Sequence, residues 1–252
     1  MDKGVLILVA TPIGNMGDIT KRAMEALSSA DLVASEDTRT TGMFLKRLGI
    51  SRPQISFHSF NEEASAQRIV AELEAGKSVA LVSDAGTPGI SDPGYSVVKL
   101  AAEQGFEVTM APGPTALVMA LVLSALPTTS FTFRGFPPRS SSKRRKFYAE
   151  DAASPHTLVY YESPHRLSES ISDALFALGD RKAALCNDLT KKFEKVERGT
   201  LAGFSKSLEG ERQLLGEYVI VIAGMEKAPS IRVRKNKYKP EGDEDGEWAK
   251  RL

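Results

Sequence analysis

Asp84 follows an apolar, strand-like run, Ser78–Val82, within the loop Val82–Gly94, VSDAGTPGISDPG. Five of the eleven residues Asp84–Gly94 are Gly or Pro, and a helix-like run, Tyr95–Glu103, comes next. Glycine lets a backbone approach a ligand closely and take positive φ, and proline stiffens the path between glycines. Open α/β sheets hold their ligands in loops at the carboxyl ends of strands. Val82–Gly94 therefore reads as a binding loop. Four other turns sit at predicted strand ends: Thr11–Asn15, Glu36–Arg39, His58–Glu62 and Pro112–Thr115. In a parallel sheet all five share one edge and line one crevice. They offer carboxylates, hydroxyls and backbone groups, and the predicted helix start at Thr115–Ala116 adds unbonded N–H groups. That inventory suits a neutral-to-cationic, adenosine-like ligand better than a triphosphate.

Several familiar chemistries are excluded. The chain has no G-x-x-x-x-G-K-[ST], and its first turn carries Gly14 and Gly17 but not G-x-G-x-x-G. Glu36 lies where a ribose-binding acid would follow a dinucleotide fingerprint, but without the glycines the imitation is weak. His58, His156 and His165 lack zinc-ligand spacing, and no serine lies in G-x-S-x-G.

The elements that must position these turns follow from apolar patterning. Val5–Val9 is a continuous apolar run, as in a parallel strand covered on both faces. Asp18 then precedes a helical pattern through Leu27, followed by strand Leu32–Ser35, a helix through Leu48, strand Ile55–Ser59 and helix Glu63–Glu74. Beyond the central loop come helix Tyr95–Glu103, strand Glu107–Met110 and the apolar helix Ala116–Leu126, read as buried. This alternation predicts a mainly parallel α/β domain over residues 1–126. After the break Pro127-Thr128-Thr129, a second α/β domain is expected over 127–225. It starts near Phe131–Phe136, and its strands are sought in Thr157–Tyr161, Lys182–Asn187 and Gly216–Ala223, with Leu189–Arg198 as a charged stretch. The tail, 226–252, has five basic residues in Ile231–Lys239, then five acidic ones in Glu241–Glu247, and reads as a mobile appendage.

The 252 residues suffice for two cores, and a net charge of +1 confines any attraction for nucleic acid to local patches. One cysteine, Cys186, excludes an intramolecular disulfide framework and fits a reducing compartment. Val5–Ala10 is short for a signal-peptide core, and Ala116–Leu126 falls short of the roughly 20 residues that span a bilayer. A cytoplasmic protein is expected.

Four motifs carry a resemblance. T-P-I-G-N at Thr11–Asn15, S-D-A-G-T-P-G at Ser83–Gly89, P-G-P-T-A at Pro112–Ala116 and Y-E-S-P-H-R at Tyr161–Arg166 resemble the tetrapyrrole-methylase superfamily. E-D-T-R (Glu36–Arg39), F-x-G-F-P-P (Phe133–Pro138) and L-T-K-K-F-E (Leu189–Glu194) resemble its small-subunit ribosomal RNA branch, in which an Arg-Glu pair usually stands where Asn187-Asp188 stands here. The resemblance spans about Val5–Gly224. It implies a two-domain, non-Rossmann methyltransferase that uses S-adenosylmethionine, held between the domains, to methylate a cytidine ribose 2′-hydroxyl in small-subunit rRNA. It also implies a homodimer. Carried over by motif, the cofactor contacts are Pro12, Asp84, Gly86, Thr87, Thr115, Ala116, Tyr161 and Leu189, with no metal.

For such a reaction, alignment of oxygen, methyl and sulfur supplies much of the catalysis, and a base or cation near the hydroxyl helps. Asp37, His58, Glu62 and Glu162 are the candidate bases, with Arg39 as electrostatic helper. Asp37 and Glu62 are favoured. Each has a structural alternative: Asp37 as a helix cap, His58 as a strand-end polar residue, Glu62 as a first-turn acid and Glu162 as a brace. Arg134–Lys146 holds six basic residues and no acid, which makes Arg139, Lys143, Arg144 and Arg145, with Arg39 and His58, the expected RNA contacts. Two other readings compete: a methyltransferase acting on a tetrapyrrole or modified protein side chain, and a non-catalytic RNA-binding ribosome-assembly protein.

Overall fold

The first five strands run parallel because each of the four connections between them contains a helix that returns the chain across the sheet. In the computed structural model, which describes residues 4–57, 62–210 and 213–225, these elements are β1 (Val5–Val9), α1 (Lys21–Ser29), β2 (Leu32–Ser35), α2 (Thr38–Arg47), β3 (Gln54–Ser56), α3 (Glu62–Glu74), β4 (Val79–Leu81), α4 (Tyr95–Glu103) and β5 (Glu107–Ala111). The strand order is β3-β2-β4-β1-β5, parallel throughout. Both faces are covered. Leu6, Ala34 and Leu81 pack with Ile69 and Leu73 of α3 and Val97 of α4, whereas Val9, Val33 and Ala80 pack with Leu27 of α1 and Leu45 of α2. The helix starts are written locally: Thr20 accepts from Ala23 N, and Asp37 accepts from Arg39 N and Thr40 N. The first helix starts at Lys21 behind its cap Thr20, and Met16–Asp18 form a separate 3₁₀ turn before it.

The second half builds a mixed sheet from β6 (Phe131–Phe133), β7 (Thr157–Glu162), β8 (Lys182–Asn187), β9 (Lys195–Thr200) and β10 (Tyr218–Ile222). Its order is β6-β7-β10-β8-β9, with β6 parallel to β7 and the other pairs antiparallel. One face carries α6 (Ser141–Ala149), α7 (Leu167–Leu178) and α8 (Leu201–Ser207), and the other carries α5 (Ala116–Leu123). Ala120 and Leu121 of α5 lie against Val159, Cys186 and Val221 of this second sheet. By packing, α5 thus lies against the second sheet.

Three expectations change. The basic run, expected to supply RNA contacts, is helical over residues 141–149 (α6) and buries Arg144 with Tyr148. An arginine on the inward face hides the apolar period from a sequence reading. The charged stretch before Arg198 contains most of β9, a sheet-edge strand whose exposed charges discourage further pairing. And α5 ends at Leu123 and is not wholly buried, with Val118 and Val122 46% and 64% exposed. Among the described residues no helix is long and apolar enough to cross a membrane. The tail and His58 lie outside the described residues.

Candidate active site

The loops after β1, β4 and β5 are tied together at the carboxyl edge of the parallel sheet. Thr11 N donates to Gly86 O at 2.8 Å, and Gly86 N donates back to Thr11 O at 3.1 Å. Gly86 has φ +80°, and a Cβ there would stand 3.2 Å from Ile13 Cγ2. The turn after β5 presses equally close, since a Cβ on Gly113 would lie 3.0 Å from Ala10 Cβ. Glycine is needed at both points for different reasons, one torsional and one steric.

The long loop is anchored at its far end by Glu62. Glu62 Oε1 accepts from Ser96 Oγ at 2.7 Å, Gly94 N at 3.2 Å and Ser96 N at 3.5 Å. Gly94, at the start of α4, has no side chain with which to cap it, so the α3 carboxylate supplies the acceptor. The Ser96 hydroxyl and these backbone donors hold the Glu62 carboxyl below the ordinary range against the opposing effect of burial. Between the anchors, Ser91 takes φ +63°, an uncommon conformation for a residue with a side chain. Its Oγ reaches across to the second half, 3.2 Å from where a Gly135 Cβ would be.

Together the two halves enclose a cavity of about 410 Å³. The parallel half contributes Ile13, Asp84, Gly86, Thr87, Ser91 and Asp92, and the other half contributes Thr115, Ala116, Phe136, Tyr161, Glu162 and Leu189. Seven of the eight residues carried over by motif thus surround one space; Pro12 lines an adjoining hollow that shares Asp84. Asp84 also borders a third hollow, formed by Glu36, Asp37, Thr38 and Arg39. It stands where all three meet.

Tyr161 closes the second-half wall. Its ring meets Phe133 and Phe136 edge-on, with centroids 4.9 and 5.6 Å apart. Burial raises its phenol, opposed by hydrogen bonds to Thr115 and to the Leu117 backbone. Because Thr115 is engaged with Tyr161, it makes no side-chain cap for α5. The wall therefore combines aromatic faces, hydroxyls and helix N–H groups, and the opposite wall carries carboxylates. Such a cavity fits a ligand with a flat ring, a cationic centre and a carboxylate.

The candidate bases fare differently. Asp37 caps α2 and pairs with Arg39 at 3.3 Å, and the Arg39 side chain, then its backbone N–H, holds the carboxyl below its usual range. Glu62 is the loop anchor just described. Glu162 Oε1 accepts from Ser163 N at 2.9 Å and pairs with Arg166 at 2.5 Å, so its position is that of a brace. Asp92, absent from the sequence-based candidates, lines the cavity. Burial raises its carboxyl to about 6, with Glu36 and Asp84 adding to the rise against a hydrogen bond with Ser83. The signal was present in the loop's own S-D-P-G, but nothing in the sequence separates an Asp facing the cavity from a turn-forming one.

The expected RNA contacts divide as well. Arg144 is removed from that set: its side chain is fully buried, with Nε on Asp173 at 2.8 Å and another nitrogen on Glu169 at 3.1 Å. Arg145 also pairs with Asp173, at 2.6 Å, and lies over the Phe176 ring. Arg139, Lys143 and Lys146 are exposed, with no ion-pair partner among the described residues.

A doubly covered parallel sheet, a mixed sheet and a glycine-lined cavity between them define a two-domain α/β methyltransferase. The chain belongs to the tetrapyrrole (corrin/porphyrin) methylase family, whose profile matches residues 5–204. Among curated relatives, the ribosomal RNA small subunit methyltransferase I of Halalkalibacterium halodurans is 44% identical over 223 residues, 88% of this chain and 77% of the relative. The protein of the same name from Xylella fastidiosa is 45% identical over 223 residues, 88% of this chain and 82% of the relative. Among solved structures, a diphthine synthase superposes with a TM-score of 0.65 at 15% identity, covering 87% of this chain and 90% of that one. The uroporphyrin-III C-methyltransferase of Thermus thermophilus gives 0.59 at 21%, covering 88% and 94%. At such identities the structural neighbours speak for the fold alone.

Proposed function

We propose that the protein transfers a methyl group from S-adenosylmethionine to the ribose 2′-hydroxyl of a cytidine in small-subunit ribosomal RNA. The observation that carries this reading is the cavity, whose walls match the parts of that donor one by one. The Tyr161–Phe136 wall suits the adenine ring, the α5 N-terminus suits the carboxylate, and the Asp84 side suits the sulfonium. The donor's sulfonium is already a good leaving group, so the protein's main contributions are holding it in line and excluding water. RNA as acceptor is supported by the relatives' names and by the exposed Arg139, Lys143 and Lys146, unpaired among the described residues. The homodimer belongs to the same reading, supported by the apolar face of α5 at Val118 and Val122.

The test is a methyl-transfer assay with labelled donor, offering assembled small subunits, naked rRNA or no RNA. Label recovered as a 2′-O-methylated cytidine is the expected result. Donor binding without transfer to either RNA would overturn the acceptor assignment and leave the fold assignment standing.

A further inference from the structure

Asp84 and Asp92 are the carboxylates of the cavity with no ion-pair partner among the described residues, and in the functional reading above Asp84 faces the donor's sulfonium. The other acids have structural roles: Asp37 caps α2, Glu62 anchors the loop, Glu162 braces Arg166 and Glu217 pairs with Lys191. Asp92 has no ion-pair partner among the described residues, and its neighbours are the Ser83 hydroxyl and the like charges of Glu36 and Asp84. Tyr161 faces it from β7. The loop that carries Asp92 is fixed two residues on, where Gly94 N donates to Glu62 Oε1 at 3.2 Å. A cavity acid with fixed backbone and no cation is arranged to receive a proton.

Resting on the functional reading above, we propose that Asp92 is the general base that takes the proton from the acceptor hydroxyl. The O–H pair becomes the new O–CH₃ bond as the methyl–sulfur bond breaks and its electrons pass to sulfur. The proton passes to the Asp92 carboxylate, then to solvent. Charge balances: the carboxylate becomes neutral as the sulfonium becomes a thioether. Burial and the two acidic neighbours make Asp92 a stronger base than an exposed aspartate while leaving it ionised at neutral pH.

The experiment compares wild type with Asp92→Asn. It measures single-turnover methyl transfer to rRNA from pH 5 to 9, and donor and RNA affinities by calorimetry. In parallel, ¹³C-aspartate NMR follows the carboxyl titration without turnover. The expected result is a loss of about 10²-fold or more in rate with both affinities unchanged, within the range of general-base catalysis. The wild-type rate should fall below a midpoint near 6, matched by one carboxyl resonance that the variant lacks. Full activity in Asp92→Asn, or a loss confined to donor affinity, overturns the assignment alone. Wild-type protein that binds donor but methylates no RNA overturns the functional reading and the assignment with it.

Discussion

Arg144 Nε donates to Asp173 Oδ2 at 2.8 Å, joining α6 to α7 through a pair whose side chains are 0% and 4% exposed. Arg145 and Ser141 donate to the other oxygen, and Arg144 also donates to the Arg139 carbonyl at 3.1 Å. Part of a run that looks built for nucleic acid is therefore spent holding two helices together.

Removing one partner leaves the other short of a buried hydrogen bond, although Arg145 and Ser141 still reach Asp173 and Glu169 still reaches Arg144. Asp173→Ala or Arg144→Ala should cost about 1–3 kcal/mol of stability, the usual penalty for a buried charged group that loses part of its hydrogen bonding. Burial alone would raise the Asp173 carboxyl, but hydrogen bonds from Arg145, Ser141 and Arg144 outweigh it and hold it below the ordinary value. A depressed carboxyl stabilises the fold above its unfolded-state pKa of about 3.9, and the contribution is lost as pH falls through the lower folded value. Urea unfolding at pH 7 and at pH 3 should show that loss in wild type and a smaller one in Asp173→Ala.

Lys143 and Lys146 sit on the same helix but face solvent. The double change to Gln should leave thermal stability within about 0.5 kcal/mol. It should weaken RNA binding and lower the slope of log K against log salt by one to two phosphate contacts' worth, about 0.9 each on a duplex. An unchanged slope would place the RNA elsewhere.

Gly86 sits at φ +80° with Ile13 beside it. Gly86→Ala adds a left-handed penalty of about 1–2 kcal/mol and a contact that Ile13 must yield to. The torsional penalty lowers stability, whereas displacement of Ile13 from the cavity wall should lower donor affinity about tenfold, read by calorimetry. Unaltered affinity would mean that the donor does not rest on this loop.

Glu62→Ala removes the acceptor that fixes Gly94 and Ser96. Loss of such a cap costs about 1 kcal/mol, and the loosened loop should show faster amide exchange at Tyr95–Val97. The pH dependence of methyl transfer should keep its wild-type midpoint, because Glu62 holds the loop rather than the proton. A shifted midpoint would return Glu62 to the catalytic role first expected of it.

Much of this molecule is legible in the chain itself. The apolar runs at Val5–Val9, Leu32–Ser35 and Lys182–Asn187 became strands with those bounds, and Tyr95–Glu103 a helix with its own, because local periodicity and caps act over a few residues. The turn motifs that converge on the cavity were also readable, since a parallel sheet places every such turn on one edge. What the chain alone left undecided depended on partners distant in sequence. Arg144 looked like a surface cation until Asp173, 29 residues away, enclosed it. The helix α5 looked buried, and only its seat on the second sheet showed which face stays bare. Asp92 looked like turn chemistry, and only its burial in the folded cavity, with Glu36 approaching from another strand end, gave it a proton affinity of its own. Charges acquire their roles from what the fold brings beside them, whereas strands and turns acquire theirs from their neighbours in the chain.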